Sequence, residues 1–188
     1  EMGTLSVSCF GPEGEPLIVK DFGAAFYWEF ADSPMCIFAQ LKILRFGIGR
    51  FLCRQNLPWT ASDRVASLMV TFLESEITGI IGTKIDSTIW LCVLHDVGCE
   101  LVDDADHNNR YPIADEMDSP VATFLAGGYC AIAGSEEVHV YELTDSRPKL
   151  VGTCELDFEP ISITTLNRAG WFAVFGEHGQ VKILSIHG

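Results

Sequence analysis

The sequence has no long apolar run and no cluster of basic residues. Apolar stretches such as residues 89–94 fall far short of the roughly 18 residues that a membrane-spanning helix needs. The first residues, EMGTLSVSCFG, contain no basic segment followed by an apolar one, so we expect no signal peptide. The 12 lysines and arginines are dispersed against 26 acidic residues, which gives a net charge of -14. Such a surface repels phosphate backbones, so we expect protein partners, with RNA bound at most indirectly and no membrane.

The sequence also lacks the motifs of common catalytic and metal sites. Its 7 cysteines include no C-x-x-C pair, so a zinc ribbon is not expected. Most lie in apolar runs, where a free thiol behaves as a small hydrophobe, and this indicates a reducing compartment. FGIGR, with Gly47 and Gly49, and GPEGEP lack the lysine and hydroxyl residue that complete a phosphate loop. We therefore predict no catalytic residue, no cofactor and no metal ion.

A few polar and aromatic segments remain as candidate sites. DDADHNN (103–109) groups carboxylates with a histidine but lacks the EF-hand spacing, so we interpret it, like the acidic cluster at 115–118, as a solvated loop. His139 is expected on the polar face of a strand and His178 in a turn, without a cysteine or serine at the spacing of a nucleophilic pair. The aromatic residues of 26–30 could dock a peptide, although packing between strands is the commoner use of such residues.

What the sequence does contain is an internal repeat. AIAGSEEVHVYEL and AVFGEHGQVKILSI both have small apolar residues, a glycine, a polar gap and then alternating apolar residues. Gly134 and Gly176 lie 42 residues apart, and so do the doublets that begin at Gly128 and Gly170. A period of about 40–45 residues with several short strands is typical of propeller blades, and the alternation places one face of a strand on a core.

We therefore predict an all-β fold in which about four to five four-stranded meanders are the blades of a partial β-propeller. Residues 1–188 are predicted to form a single domain, with the best-defined blades at 119–157 and 159–187. ITGIIGTKIDSTIWLCVL has the same shape as the repeat, with its glycine at Gly82. Because the last unit stops after its third strand, we expect a piece of a larger chain, or an open edge that a neighbour closes.

Two upstream segments are less regular. SDRVASLMVTFLESE (62–76) shows both helical and strand periodicity, and the flanking meanders favour a strand. CIFA and LKIL have no turn residue between them, so either Gln40 lies in a very tight corner or a connecting loop is absent.

From residue 120 onward the chain resembles the last propeller of the family of the large subunit of cleavage and polyadenylation specificity factor. The shared features are a Pro-Val start, strands that end in glycine, a Leu-x-Gly turn and a Leu-Asp pair. NLPW and TGIIGT upstream are similar to further segments of that family. The matching positions are Pro58, Trp59, Gly82, Pro120, Val121, Gly134, Gly152, Leu156, Asp157 and Gly176.

The resemblance implies a non-catalytic nuclear scaffold of mRNA 3'-end processing, in which partners insert helices or strands into clefts between propellers. The implied partners are the WD-repeat and CCCH zinc-finger subunits that read the polyadenylation signal. Two relatives share this architecture, so the propeller adaptor of cullin ubiquitin ligases and the propeller subunit of the splicing branch-site complex remain alternatives. A propeller hydrolase, with carboxylates from the acidic segments, is the enzymatic alternative.

Overall fold

The computed structural model describes residues 24–30, 33–40, 43–56, 69–143 and 147–186, and the regular structure in these ranges is β-strand. The strands, in chain order, are β1 (Ala24–Phe30), β2 (Ser33–Gln40), β3 (Ile43–Ile48), β4 (Phe51–Asn56), β5 (Met69–Phe72), β6 (Ile77–Ile85), β7 (Thr88–His95), β8 (Val97–Asp103), β9 (Arg110–Asp118), β10 (Val121–Leu125), β11 (Tyr129–Gly134), β12 (Glu137–Glu142), β13 (Lys149–Glu155), β14 (Pro160–Thr165), β15 (Trp171–Gly176) and β16 (Val181–Ser185). The prediction of an all-β fold is confirmed for this part of the chain.

The strands form four antiparallel sheets, each a meander in chain order. The first sheet contains β1–β5, the second β6–β9, the third β10–β13 and the fourth β14–β16. Strand β6 lies against β2 on one side and β10 on the other, and β10 lies against β14. Corresponding strands of successive sheets therefore face one another, as blades do around a common axis.

The sheet bounds can be compared with the predicted blades. The third sheet occupies 121–155 and the fourth 160–185, inside the segments 119–157 and 159–187. The second sheet is also a complete four-stranded meander, whereas the first carries one extra strand, β1, beside β2. That residues 1–188 form a single domain stays a prediction.

The ambiguous upstream segments contain strands, although residues 73–76 connect β5 to β6 without regular structure. Residues 69–72 form β5, which pairs with β4, so the choice of strand over helix is confirmed for this part, while 62–68 lie outside the described residues. Gln40, the last residue of β2, pairs directly with Ile43, the first residue of β3, which agrees with the expected tight corner, while residues 41–42 lie outside the described residues.

The apolar cores lie between sheets. On β7, Trp90 and Cys92 face the third sheet while Leu91 and Val93 face the first. Side chains on a strand point alternately to the two faces, so a strand covered on both sides buries every residue in a run. This arrangement explains why WLCV in β7, like CAIA in β11, is apolar without alternation.

Each pair of neighbouring sheets shares one core cluster. The cluster between the first and second sheets contains Leu52, Leu73, Ile77, Ile80, Leu91, Val93 and Val102. The one between the second and third contains Trp90, Cys92, Cys99, Leu101, Ile113, Met117, Cys130, Ile132, Tyr141 and Leu143. The one between the third and fourth contains Leu125, Ala131, Ala133, Val138, Val140, Leu156, Phe158, Phe172 and Val174.

The repeated glycines occupy equivalent positions at the ends of β11 and β15, the second strands of their sheets. A Cβ atom on Gly134 would lie 2.9 Å from the backbone oxygen of Asp118 and 3.1 Å from the Cβ of Met117. A Cβ atom on Gly176 would lie 2.7 Å from a ring carbon of Phe158. Both glycines therefore sit where the chain arriving from the preceding sheet passes close to the strand end, which gives the 42-residue repeat a steric cause.

Gly82 has a different place, so the predicted repeat is wrong in register at the second sheet. It lies within β6, the first strand of its sheet, and pairs with Leu91. The polar gap that follows Gly82 is the β6–β7 turn at Asp86, whereas the gap after Gly134 is a turn between second and third strands. Short apolar strands look alike in sequence. The first strand of the second sheet was therefore aligned with the second strand of the third sheet.

We predict that Gly134→Ala destabilises the protein by about 1–3 kcal/mol, because the added methyl group meets backbone that cannot move as a flexible side chain would. Gly152→Ala is the matched control. A Cβ atom there meets nothing within 4 Å, so a change within about 0.5 kcal/mol is expected. Urea unfolding of the two variants measures the difference, and equal losses of stability would contradict the steric explanation of the repeat.

Candidate functional site

The acidic segment 103–109 is only in part the solvated loop that its composition predicts, because two of its side chains are buried. It is the turn between β8 and β9, where Asp104 is 2% exposed and His107 3% exposed. Both side chains point into the contact with the first sheet. For Asp104 the prediction is wrong because a carboxylate that is paired with a distant cation can be buried. The composition of the segment itself does not indicate that such a partner exists.

Asp104 joins the two sheets through arginines. The Nε of Arg45, a residue that is 0% exposed on β3, donates to Oδ1 of Asp104 at 2.5 Å, and its Nη2 donates to Oδ2 at 2.5 Å. The Nε of Arg54, on β4, also donates to Oδ2, at 3.1 Å. A bidentate guanidinium–carboxylate pair fixes both distance and orientation, so this contact sets how the second sheet lies on the first.

His107 makes a second polar contact across the same junction. Its Nδ1 lies 3.0 Å from the hydroxyl oxygen of Thr71 on β5, which is within hydrogen-bond distance. Its Nε2 lies 4.0 Å from Oδ1 of Asp104, too far for a hydrogen bond. The turn is therefore attached to three successive strands of the first sheet, through Arg45, Arg54 and Thr71.

The pKa of Asp104 reflects this setting. Burial by itself raises the pKa of a carboxyl group, but hydrogen bonding to Arg45 and the charges of Arg45 and Arg54 outweigh it. The net result is a pKa of Asp104 well below its usual range. The group is thus an ionised structural anchor at neutral pH and has no proton to donate as a general acid.

The carboxylates of this turn do not converge on one point. Asp103 accepts a hydrogen bond from the backbone N–H of Ala105, and Asp106 accepts from the backbone and side-chain N–H groups of Asn108. In the described ranges, no group of three or more His, Cys, Asp or Glu side chains is arranged to hold a metal ion. The convergent carboxylates that a propeller hydrolase would need are not formed by these residues.

The second acidic cluster is also not a loop. Residues 115–118 lie on β9, where Glu116 and Asp118 are exposed and Met117 is buried. The interpretation of the charged side chains as solvated is confirmed, but their backbone belongs to a sheet. Asp115, Glu116 and Asp118 are all exposed on this outer strand, although Asp115 and Glu116 are consecutive and so depart from strict alternation.

The two singled-out histidines are where the sequence predicts. His139 lies on β12, with its Nε2 3.1 Å from a carboxylate oxygen of Glu137 and its ring against Tyr141. His178 is exposed in the turn between β15 and β16, where its backbone N–H donates to the side chain of Gln180. Within the described residues neither histidine forms a hydrogen bond with a cysteine or a serine, so no nucleophilic pair is formed there.

Five cysteines are shown to be free, and four of them, Cys53, Cys92, Cys99 and Cys130, are buried, while Cys154 is half-buried. Burial raises the pKa of Cys53 to about 11. Hydrogen bonding to Cys130, together with burial, raises the pKa of Cys92. Hydrogen bonding to Cys92, together with burial, raises that of Cys99. Because the thiolate is the reactive form, these thiols are inert core residues, as predicted from their apolar surroundings.

Open clefts lie where the sheets meet at the surface. The first has a volume of about 470 Å³ and separates the end of β6, with Lys84, and the turn residue Asp86 from the β10–β11 turn. The second, of about 400 Å³, lies beside β9 and contains Tyr111 and Tyr141. The third, also about 400 Å³, separates the β10–β11 turn from the β14–β15 turn. Volumes of this size accept side chains or small ligands.

The first and third clefts flank the same hairpin. The β10–β11 turn contains Gly127 and Gly128, whose φ angles of 87° and 83° favour glycine, and such a Gly-Gly doublet is typical of a hairpin turn. Opposite it in the third cleft stands the β14–β15 turn, where the guanidinium of Arg168 lies 4.5 Å from the centre of the Trp171 ring. We call this third cleft the Arg168 cleft.

Exposed apolar side chains concentrate on the two outer sheets. Phe51 and Phe72 of the first sheet pack edge to face, with ring centres 5.5 Å apart, and both remain exposed. In the fourth sheet, Ile161, Val181 and Ile183 are exposed on strands that pack on the third sheet with one face alone. Contiguous exposed apolar surface is typical of interaction sites.

The structure distributes the family-resemblance positions and does not bring them together in one site. Gly134 and Gly176 end second strands, Val121 begins β10 directly after Pro120, and Leu156 belongs to the core between the third and fourth sheets. Gly152 lies on β13 and Asp157 is exposed in the connection to β14, while Pro58 and Trp59 lie outside the described residues. The predicted aromatic group at 26–30 lies on β1, and its side chains also lie outside that description.

The sequence reasoning missed the partners of Asp104 and the Arg168 cleft. A signal for Arg45 exists, because a cation inside the apolar strand ILRFGI must be paired if that strand is covered on both faces. Arg45 and Asp104 are 59 residues apart, so no local sequence pattern predicts that they pair. Arg168 and Trp171 are close in sequence, but their stacking depends on the turn that joins β14 to β15.

No family model and no curated protein sequence matches this chain. Solved structures do match. Hsv2 of Kluyveromyces lactis is 9% identical, with a TM-score of 0.58 over 87% of this chain and 57% of that one. BBS1N, solved in complex with ARL6DN, is 11% identical, with a TM-score of 0.55 over 92% of this chain and 65% of that one. This chain therefore spans less than two thirds of either.

These neighbours are propellers, and together with the four meanders they establish the fold. The chain is built from β-propeller blades. At this level of identity the likeness extends to architecture alone. The described residues include no helix long and apolar enough to cross a membrane.

Asp104→Asn is expected to destabilise the protein at neutral pH by about 3–5 kcal/mol, because it leaves the charge of Arg45 buried without its counter-ion. The pKa of Asp104 is lowered on folding, so its contribution is fully present above the unfolded pKa of about 4. It is lost as the pH falls through the lower, folded pKa. The difference in the free energy of unfolding between wild type and variant should therefore become smaller below about pH 4. Chemical unfolding at a series of pH values measures this difference.

Asp106→Asn is the control for this experiment, since Asp106 is an exposed carboxylate in the same turn with hydrogen bonds to Asn108 alone. We expect it to change stability by less than about 1 kcal/mol. If the two variants were equally stable at neutral pH, the buried pair would not be the anchor of this junction.

Proposed function

We propose that this chain is a non-catalytic scaffold that holds other proteins in a multi-subunit complex, and that it acts in mRNA 3'-end cleavage and polyadenylation in the nucleus. The observation that carries the scaffold role is the stack of four sheets whose neighbouring hairpins and edges leave clefts and apolar side chains open. Such surfaces suit the insertion of a peptide, a strand or a helix from a partner.

The comparison structures support a protein-binding role. BBS1N was solved in complex with ARL6DN, so a chain of similar architecture does bind a protein partner. The titratable groups of the described residues fit a structural role better than a catalytic one. The most perturbed carboxylate, that of Asp104, is bound by Arg45 and Arg54, and the thiols with raised pKa values are buried in cores.

The assignment to polyadenylation is supported by the resemblance of residues 120–186 to the large specificity-factor subunit. On this proposal the partners are WD-repeat and CCCH zinc-finger subunits, which contact the polyadenylation signal while this chain supplies the platform. The propeller adaptor of a cullin ubiquitin ligase and the propeller subunit of the splicing branch-site complex are the competing scaffold functions.

Affinity purification of the full-length protein followed by mass spectrometry separates these functions. We expect a CCCH zinc-finger protein and a metallo-β-lactamase-type endonuclease to co-purify. A cullin, or the HEAT-repeat branch-site protein, would replace the proposed function with one of the alternatives. The assembly should withstand moderate salt, because apolar contacts rather than phosphate contacts are expected to hold it.

The net charge leads to a separate prediction for RNA. With a charge of -14, the chain alone should bind RNA no more tightly than about 10⁻⁴–10⁻⁶ M, the range of non-specific association. Fluorescence anisotropy with an oligonucleotide that carries the polyadenylation signal measures this, with a scrambled oligonucleotide as the control. Tight binding with a preference for the signal sequence would contradict the scaffold proposal.

A further inference from the structure

The Arg168 cleft combines an apolar lining with one cation. Its walls are formed by Phe124 and Leu125 from β10, by Leu166 from the β14–β15 turn and by Trp171 from the start of β15. Leu166 is 37% exposed and therefore offers apolar surface to an incoming group. Arg168 is the charged residue of this lining, which contains no carboxylate.

The turn that carries Arg168 is held by backbone hydrogen bonds. The N–H of Trp171 donates to the carbonyl of Arg168 at 3.0 Å, and the N–H of Leu166 donates to the carbonyl of Trp171 at 2.9 Å. These bonds fix the turn in which the guanidinium stacks on the indole. A guanidinium that stacks through its planar face keeps its N–H groups at its edge, where they can bind a carboxylate bidentately.

Three other described arginines are paired with carboxylates of this chain, and Arg168 is not. Arg45 and Arg54 are paired with Asp104, and Arg110 with Glu100. Within the described ranges no carboxylate of this chain forms an ion pair with Arg168, and its guanidinium stacks on the ring of Trp171. The chain has 26 acidic residues, and none of those described neutralises this stacked cation. Arg168 is therefore available to bind an anionic group of another molecule.

The excess of negative charge on the chain limits which anion fits. At physiological ionic strength, charges further away than about 8 Å are largely screened, so the nearby guanidinium decides the local interaction. One carboxylate needs one cation, whereas a nucleic-acid strand brings a charge with every phosphate and would meet repulsion along its length. A protein segment with an isolated acidic residue is therefore favoured over RNA.

We propose that the Arg168 cleft docks an extended segment of a partner protein in which an apolar side chain lies next to an acidic residue. The apolar side chain packs between Leu166 and Phe124, and the carboxylate accepts hydrogen bonds from the edge of the Arg168 guanidinium. The inference rests on the proposed scaffold role and assigns to it one surface and one chemistry of partner.

Fluorescence anisotropy of the full-length chain tests this with three labelled probes. These are a short peptide of alternating leucine and aspartate, the same peptide with asparagine in place of aspartate, and an oligouridine strand. We expect saturable binding of the acidic peptide that weakens as salt is raised, and binding about tenfold weaker for Arg168→Gln. Lys84→Gln removes a cation of the same charge from the neighbouring cleft and should leave the affinity within about twofold.

Several results would overturn the inference. They are the absence of saturable binding, equal affinity for the asparagine peptide, unchanged affinity in Arg168→Gln, or tighter binding of oligouridine. Leu166→Ala provides a second check, because loss of the apolar wall should weaken both peptides by a similar factor while thermal unfolding shows that the variant is folded. Similar affinities of Leu166→Ala and wild type would also count against the cleft.

Failure of this inference is distinguishable from failure of the proposed function. If wild type and Arg168→Gln co-purify with the same proteins in equal amounts while the acidic peptide does not bind, the scaffold role stands and the assigned surface is wrong. If the peptide binds as expected but no protein co-purifies with the full-length chain, the proposed scaffold function is wrong and the inference about the cleft stands.

Discussion

The second and third sheets must each be covered on both faces, and the rest of the structure follows from this constraint. Strands β7 and β11 bury consecutive residues because alternate side chains enter different cores. No single sheet could remain soluble with both faces apolar, so the sheets stabilise one another in sequence. The same constraint leaves Val181 and Ile183 exposed on the fourth sheet, whose outer face no described sheet covers.

The junctions between the sheets differ in chemistry. The first and second sheets share a small apolar core, to which the buried Arg45–Asp104 pair adds a directional contact. The other two junctions depend on apolar packing, and at both the connecting chain is pressed against a glycine, Gly134 or Gly176. An ion pair fixes orientation, whereas apolar packing supplies most of the free energy of burial. Clefts form above these junctions, where the turns of neighbouring sheets diverge.

The sequence was sufficient for the fold class because strand patterns are local. The 42-residue spacing of Gly134 and Gly176 located the third and fourth sheets. It was insufficient where a contact joins distant segments. Asp104 appeared solvated because its partner Arg45 lies 59 residues earlier, and Gly82 was matched to the wrong strand because short apolar strands resemble one another. The Arg168 cleft needs two turns that approach only in the folded chain.

Residue-resolved hydrogen exchange tests the central claim that each inner sheet is stabilised by neighbours on both faces. The account predicts that the amides of β7 and β11 exchange most slowly and at similar rates, since both strands lie between two cores. The amides of β16, on the sheet covered on one face, should exchange faster. If β7 and β16 exchanged at the same rate, the sheets would not support one another in this way, and the account would be wrong.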